Sequence, residues 1–436
     1  METDQIFDGL LANLKVGEKA KTVRSRRDEI TKALNKNFRD KDASVEYRLM
    51  IGSFGRHTAI RSISDLDMIF ILPSSLRGDY SEANGPRRML ERVRDVLTAR
   101  YTNTDIRVDQ CVVRVQFVSD AFKFEVQPAF ENEDGSFDYP DTKAESWKTT
   151  KPRAEIAETK ECNDRTSTNM RHLARMTRAW KNTNGVNLGG LVIDTLVNNF
   201  FAQTSEFDFA KTGSFDVMSR DFFEFLMHEP EKDYYLALGS RQRVHVKAKF
   251  QAKAKKAYNR CVSAIELEGK TAAVKKWREV FGTGVPLTAP GDVLKASASA
   301  RYIGAEEFIE DHYPVDITES VHIDCEVTQK GWRPTWLRSM RRVGDPLLAG
   351  KRMKFQVKSC SASEPYVLKW KVLNQGSEAE KRRMIRGDII DSTEPGIRKE
   401  SSSFRGEHIV ECYVVKNGIV VARDRIDVPI ITTVDV

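Results

Sequence analysis

The sequence predicts an α+β protein in three parts, and three observations carry that prediction. Short strands alternate with helices up to about residue 160. Helix-period apolar patterns dominate from there to about residue 285, and strand-like alternation returns after about residue 301. The parts are placed at residues 1–160, 161–300 and 301–436.

In the first part, Ile6, Phe7, Leu10, Leu11 and Leu14 give residues 1–40 a helical period. A short strand over Tyr47–Ile51 ends at Gly52-Ser53, and Phe54 to Ile60 suits a helical turn. A second strand runs from Asp65 to Leu72 and stops at Pro73. A helix spans Gly85 to Tyr101, and strands Val112–Val118 and Phe122–Pro128 flank a turn at Ser119-Asp120. In the second part, Arg165–Lys181, Leu191–Gln203, Phe215–Met227 and Val244–Glu268 read as helices. The Pro-, Gly-, Ser- and Ala-rich stretch 285–300 reads as a link. In the third part, Val321–Thr328, Lys354–Val357, Tyr366–Leu373, His408–Val415 and Ile419–Arg423 alternate as strands, which predicts a β-sandwich-like module.

Composition sets outer limits. The chain carries 40% hydrophobic and 31% charged residues, an ordinary globular balance. A net charge of +7 suits an anionic ligand without specifying one, and a solvated basic surface accounts for it equally well. The six cysteines form no CxxC pair, which argues against zinc knuckles and points to reduced thiols in a cytoplasmic protein. The N-terminus lacks signal-peptide character, and no apolar run approaches the roughly 18 residues of a membrane span, so no membrane is expected.

The segment from Ile51 to Asp67 carries the chemistry. Gly52 and Ser53 lie between a strand and a helix start, where free backbone N–H groups can hold a triphosphate, and the Ser53 hydroxyl adds a donor. Thr58, on the same segment, is a further candidate nucleotide contact. Asp65 and Asp67 sit at i and i+2 of a strand and so share one face. On the later strand Phe124 and Val126 belong to the core, which turns Glu125 toward the site. Three carboxylates beside a phosphate loop are the minimum for two-metal phosphoryl transfer with Mg²⁺ or Mn²⁺. An Asp-x-Asp pair alone is more often a surface strand; the combination with Gly52-Ser53 and Glu125 is what makes the pattern specific.

That pattern, with Glu125-Val-Gln-Pro-Ala129 after it, resembles the polymerase-beta-like nucleotidyltransferases. Within them it is similar to the bacterial CD-NTases, or SMODS-domain synthases, relatives of cyclic GMP-AMP synthase and oligoadenylate synthase. Further resemblance lies in Asp138–Thr142, Trp147–Pro152, Arg178-Ala-Trp-Lys181 and Trp277–Gly282, so that it spans about residues 45–286. It implies a polymerase-beta-like mixed sheet followed by an oligoadenylate-synthase-like helical domain. It further implies that ATP or other NTPs are joined into a cyclic di- or trinucleotide second messenger, read by a downstream effector in antiphage (CBASS) signalling. Asp65, Asp67 and Glu125 would be metal-binding and catalytic, and Lys181 would contact triphosphate oxygens. Two positions depart from the pattern: Glu125 stands where many relatives carry Asp, and Gly189-Gly190 stand where many carry a triphosphate-contacting serine. The stretch from about 305 to 436, with Trp370–Gly376, Arg386-Gly-Asp388 and Gly406–Tyr413, resembles the C-terminal adenylyl/guanylyl-and-SMODS sensor domain and implies a ligand there. Trp370, Arg386 and His408 are its candidate contacts, with sheet packing favoured for Trp370.

Two other functions use the same residues: a template-independent nucleotidyltransferase that tails RNA or modifies a small acceptor, and a non-catalytic nucleotide sensor, against which the intact carboxylates argue. The basic run Arg241–Arg260 would suit a nucleic-acid activator, but a solvated face or a wall steering triphosphates is favoured because aromatic residues are not interleaved with it. His57 would assist phosphate binding or stabilise its turn. Trp147 and Tyr139 would stack on a base, although core packing is the expected role.

Overall fold

The computed structural model describes residues 1–17, 19–117, 122–287, 307, 309–313, 317, 319–329, 331, 333–374, 377–382, 384, 386–392 and 394–431. The predicted turn at Ser119-Asp120 and most of the predicted link lie outside them. The chain forms two compact units, one of residues 2–179 and 188–285, the other of Met1, Trp180–Asn187 and Pro286–Val436.

The larger unit begins with helices α1 (Thr3–Leu14) and α2 (Lys19–Arg39), followed by β1 (Arg48–Met50), α3 (Gly52–Gly55), β2 (Asp65–Ile71) and α4 (Gly85–Arg100). Strands β3 (Asp105–Asp109), β4 (Val112–Gln116), β5 (Lys123–Glu131), β6 (Phe137–Asp141) and β7 (Ser146–Thr150) complete a mixed sheet. Its order is β1-β2-β5-β4-β3, with β6 paired to β5 and β7 to β6; β2 and β5 run parallel. Strand alternation sorts the faces: Leu66, Met68, Phe70, Phe124 and Val126 pack against Ile30 and Leu34 of α2 and Leu90 and Val93 of α4. Asp65, Asp67 and Glu125 are thereby left on the opposite face.

The helices of this unit are α5 (Pro152–Arg165), α6 (Asn169–Thr183), α7 (Gly190–Gln203), α8 (Phe215–His228), α9 (Gln251–Glu266) and α10 (Thr271–Phe281), α6 crossing into the other unit. The helix predicted over Arg165–Lys181 is α6, which begins only at Asn169, and Arg165 is the last residue of α5. Helix α1, assigned with the sheet from sequence, sets Phe7 against Trp277 of α10 at 5.0 Å and Phe215 of α8 at 6.1 Å between ring centroids. The basic run is divided. Gly239 and Arg241 adopt positive φ, which turns the chain so that β9 (Arg243–His245) pairs with β8 (Tyr234–Leu236), and α9 begins only at Gln251.

The smaller unit is mostly β. One sheet has the order β11-β10-β13-β16, formed by β10 (Val321–Thr328), β11 (Thr335–Trp336), β13 (Arg352–Cys360) and β16 (Ile397–Ser401). The other has the order β12-β18-β17-β14-β15, formed by β12 (Leu347–Leu348), β14 (Val367–Leu373), β15 (Ile389–Asp391), β17 (Gly406–Lys416) and β18 (Ile419–Ile431). Ile323, Cys325 and Phe355 of the first sheet share a core with Trp370, Val410, Cys412 and Ile426 of the second, as a sandwich requires. Trp370 is fully buried in that core, so packing is its role. The six cysteines are free thiols, four of them buried.

Candidate active site

The parallel pairing of β2 with β5 builds the site. It sets Asp65 beside Lys123 and Asp67 beside Glu125, while antiparallel β4 sets Arg114 beside Glu125. Period-2 alternation turns all five side chains to the face away from the core. Lys123 Nζ lies 3.0 Å from Asp65 Oδ1 and 3.6 Å from Glu125 Oε1. Arg114 donates from Nε to the same Glu125 oxygen at 3.1 Å and holds Asp109 at 2.6 Å. The Asp65 and Glu125 side chains are 24% and 20% exposed, so the acid group is open to solvent as well as paired.

The turn into α3 closes over this group. Ile51 donates its N–H to the Asp67 carbonyl at 3.0 Å, and Gly52 follows at φ +61°. A Cβ at position 52 would stand 1.8 Å from Asp67 Oδ2. Glycine is needed here twice, for the left-handed backbone and for the close approach of the carboxylate. The amides of Gly52 and Ser53 are first-turn donors that the helix itself does not use. The chain then turns back, with the N–H groups of Thr58 and Ala59 donating to the Ser53 carbonyl.

Behind the turn lies a buried charge cluster. Asp194 of α7 has no exposed side-chain surface; it takes Arg56 Nε at 2.8 Å, Arg178 Nη1 at 2.7 Å and the Thr58 hydroxyl at 3.0 Å. Arg56 also reaches Glu155 of α5 at 3.3 Å. Burial alone would raise the Asp194 carboxyl, but the Arg178 and Arg56 guanidinium groups hold it below its ordinary range. Burial dominates at Glu155 and lifts its carboxyl despite Arg56. The cluster ties α3 to α6 and α7.

The structure brings Gly52, Ser53, Asp65, Asp67 and Glu125 together. Thr58, a candidate contact from sequence, is instead fully buried with its hydroxyl committed to Asp194, because the tight turn at His57 (φ 60°) swings it inward. Lys181 stands in the last turn of α6, in the segment grouped with the smaller unit, and is only 7% exposed. His57 works in its turn, its carbonyl accepting from Arg175 at 2.9 Å. Trp147 packs on Phe130 at 5.0 Å and donates to the Tyr80 carbonyl, a core role. A groove of about 520 Å³ lined from α5 and α7 shares no residue with the acid group. Lys123, Arg114 and Asp194 escaped the sequence reading. Lys123 shares the face of Glu125 by simple alternation, and an aspartate inside the apolar run Leu191–Val197 signals a buried partner.

The donor set fits a hard divalent cation: three carboxylates, all oxygen, on adjoining strand positions. Among the described residues no three such side chains form a ready-made cage. Lys123 and Arg114 supply the neutralising charge in this arrangement.

Residues 1–163 match the Second Messenger Oligonucleotide or Dinucleotide Synthetase domain, and residues 304–431 match the Adenylyl/Guanylyl and SMODS C-terminal sensor domain. No curated protein matches the chain. Among solved structures, Escherichia coli MS115-1 CdnC with ATP aligns over 66% of this chain and 99% of its own, at TM-score 0.51 and 15% identity, which shows the fold. E. coli DncV with 3′-deoxy GTP aligns over 66% and 98% at TM-score 0.49 and 14% identity. The STING-associated CdnE c-di-GMP synthase of Capnocytophaga granulosa aligns over 59% and 83% at 0.47 and 13%. Fold, acid group and the two domain matches together make the chain a CD-NTase, a nucleotidyltransferase that synthesises cyclic oligonucleotides.

Proposed function

We propose that Asp65, Asp67 and Glu125 hold one or two Mg²⁺ or Mn²⁺ ions and that the protein acts in the cytoplasm in CBASS antiphage signalling, its product being a cyclic di- or trinucleotide read by an effector. The observation that carries the metal assignment is the register Asp67–Glu125 beside Asp65, closed by Gly52. Bound there, the ions would neutralise charge developing on the phosphates. The chain's own residues do the rest. Gly52 and Ser53 present donors to the triphosphate, and the sheet fixes the acids. A ribose hydroxyl oxygen forms its bond to the α-phosphorus as the bond to pyrophosphate breaks. Glu125, held between Arg114 and Lys123, takes the hydroxyl proton. We assign Lys181 a supporting triphosphate contact on the resemblance of Arg178-Ala-Trp-Lys181, and the C-terminal module of residues 301–436 a regulatory role in which it supplies no catalytic group. Among the described residues no helix is long and apolar enough to cross a membrane.

The test is incubation with all four NTPs and Mg²⁺ or Mn²⁺, then phosphatase treatment and mass analysis. A phosphatase-resistant cyclic product that needs the divalent ion is expected. A lengthened RNA or a nucleotidylated small molecule as the only product would refute the cyclic-product reading, and synthesis undiminished in chelator would refute the metal assignment.

A further inference from the structure

Helix α6 is shared by the two units, its last turn falling with Trp180–Asn187 in the smaller one. The way the helix ends accounts for that membership. Asn184 donates its backbone N–H to the Trp180 carbonyl at 2.9 Å and its side-chain amide to the same oxygen at 3.1 Å, and Val186 donates to the Lys181 carbonyl at 2.9 Å. Gly185 stands between them at φ +58°, the left-handed residue with which such a cap closes a helix. It also meets β18 of the same unit: a Cβ at position 185 would stand 2.1 Å from the Arg423 carbonyl oxygen, a backbone atom that cannot step aside.

Arg423 is fixed in its turn. Its guanidinium bonds Glu411 of the neighbouring β17, which also takes the Tyr413 hydroxyl at 2.7 Å and lies 3.6 Å from Lys371 Nζ of β14. The side chains of Arg423, Glu411 and Lys371 are each less than a tenth exposed. Burial would raise the Glu411 carboxyl, but the Arg423 and Lys371 cations hold it well below its ordinary range. A buried charge group of this kind is costly to rearrange, so β18 offers the end of α6 a stiff seat.

Nearer its middle the same helix holds the turn that follows Gly52-Ser53. Arg175 donates to the His57 carbonyl at 2.9 Å. Arg178, one turn on, clamps Asp194 at 2.7 and 2.9 Å, and Asp194 is the carboxylate that takes Arg56 and the Thr58 hydroxyl. Arg175 and Arg178 stand at i and i+3 and so share a face of α6. From Arg175 to the helix end at Thr183 is about 12 Å at about 1.5 Å per residue, a stretch that an unbroken hydrogen-bond ladder keeps stiff. A shift of about 1 Å along that axis would carry bonds of 2.7 to 2.9 Å out of range.

We infer that β18 positions the turn of residues 52–59 through α6, with Gly185 and Arg423 as positioning residues at the far end of the helix. The inference rests on the reading of Gly52 and Ser53 as the triphosphate loop, and it names the route by which the C-terminal module reaches that loop. The test compares the full chain with Gly185→Ala, Arg175→Met, the double variant, and Tyr413→Phe, a mild change that takes one hydrogen bond from Glu411. The readouts are amide hydrogen exchange over residues 52–59, affinity for the non-hydrolysable α,β-methylene ATP, and the kinetics of synthesis from NTPs. In Gly185→Ala, exchange over 52–59 should quicken about tenfold and the analogue should bind about fivefold more weakly, the scale of coupling through packed elements. KM should rise with it while kcat stays within about twofold, whereas partial unfolding would lower kcat and leave KM in place. Tyr413→Phe should move exchange and affinity the same way by less. Because Gly185 and Arg175 act on one helix, the double variant should fall short of the sum of the two single effects. Unchanged exchange over 52–59 in folded Gly185→Ala and Tyr413→Phe, additive effects in the double variant, or a fall in kcat at constant KM overturns the proposal. Exchange is read without nucleotide, so failure of the wild-type chain to bind the analogue would count against the triphosphate-loop reading, and unchanged exchange against the route.

Discussion

Two groups of acids in the larger unit are built from the same residue types and do opposite work. Asp194 and Glu155 are closed in by Arg56 and Arg178, and Asp194 has no exposed side-chain surface. Asp65 and Glu125 are held by Lys123 and Arg114 but keep about a fifth or more of their side-chain surface in solvent. A carboxylate closed by two guanidinium groups in the interior is a brace, since exchanging a partner there would leave a charge buried alone. A carboxylate paired at the edge can trade its lysine for another cation at small cost.

The largest expected effect breaks the open group. Asp65→Asn with Asp67→Asn should reduce nucleotidyl transfer by about 10³-fold or more while the melting temperature moves little. Activity within tenfold of wild type would end the assignment. The closed group should respond the other way round. Asp194→Ala leaves Arg56 and Arg178 without their shared carboxylate, and urea unfolding should show a loss of about 3–5 kcal/mol. A loss below about 1 kcal/mol would mean that the cluster is no brace.

Gly52→Ala lies between the two. Its Cβ would overlap Asp67 Oδ2, and its φ is strained for any side chain, so divalent-ion and nucleotide binding should fall together while the fold loses about 1–3 kcal/mol. Weakened nucleotide binding with unchanged Mn²⁺ binding would place Gly52 outside the acid group. Lys123→Met removes the cation that competes for Asp65 and Glu125. Mn²⁺ affinity, read by electron paramagnetic resonance, should rise several-fold, with stability changed by no more than about 1 kcal/mol. Lower Mn²⁺ affinity would show that Lys123 orders the acids.

A further effect concerns pH. Burial, then Arg175 and Lys15, push the His172 imidazole down to about 4 from 6.5. The unfolded chain therefore binds the extra proton first. Stability from this site is complete above about pH 6.5 and is lost as pH falls toward 4, by at most about 2 kcal/mol after allowance for partial exposure. In His172→Phe that slope should flatten; an unchanged slope would assign it to other groups.

Much of the fold was legible because apolar periods are local. The helix predicted over Gly85–Tyr101 is observed over Gly85–Arg100, and the strand over Asp65–Leu72 is observed over Asp65–Ile71. Strands β6 and β7 were missed because Phe137–Asp141 contains Pro140 and Ser146–Thr150 is largely polar; each is a strand because it pairs with the other. The predicted helix from Val244 failed at its start because a hairpin closed by Gly239 and Arg241 takes up Arg243–His245.

The sequence by itself determined which acids share a strand face, since alternation fixes Asp65 with Asp67 and opposes Glu125 to Phe124 and Val126. It also determined that a glycine stands at the strand end where the acid comes closest. Only the tertiary structure decided that Asp67 meets Glu125 in register, that Lys123 and Arg114 pair with the group, and that Thr58 belongs to Asp194, 136 residues away. Periodicity says which way a side chain points, but whether a charge is braced or available depends on the partners and burial that distant segments bring to it.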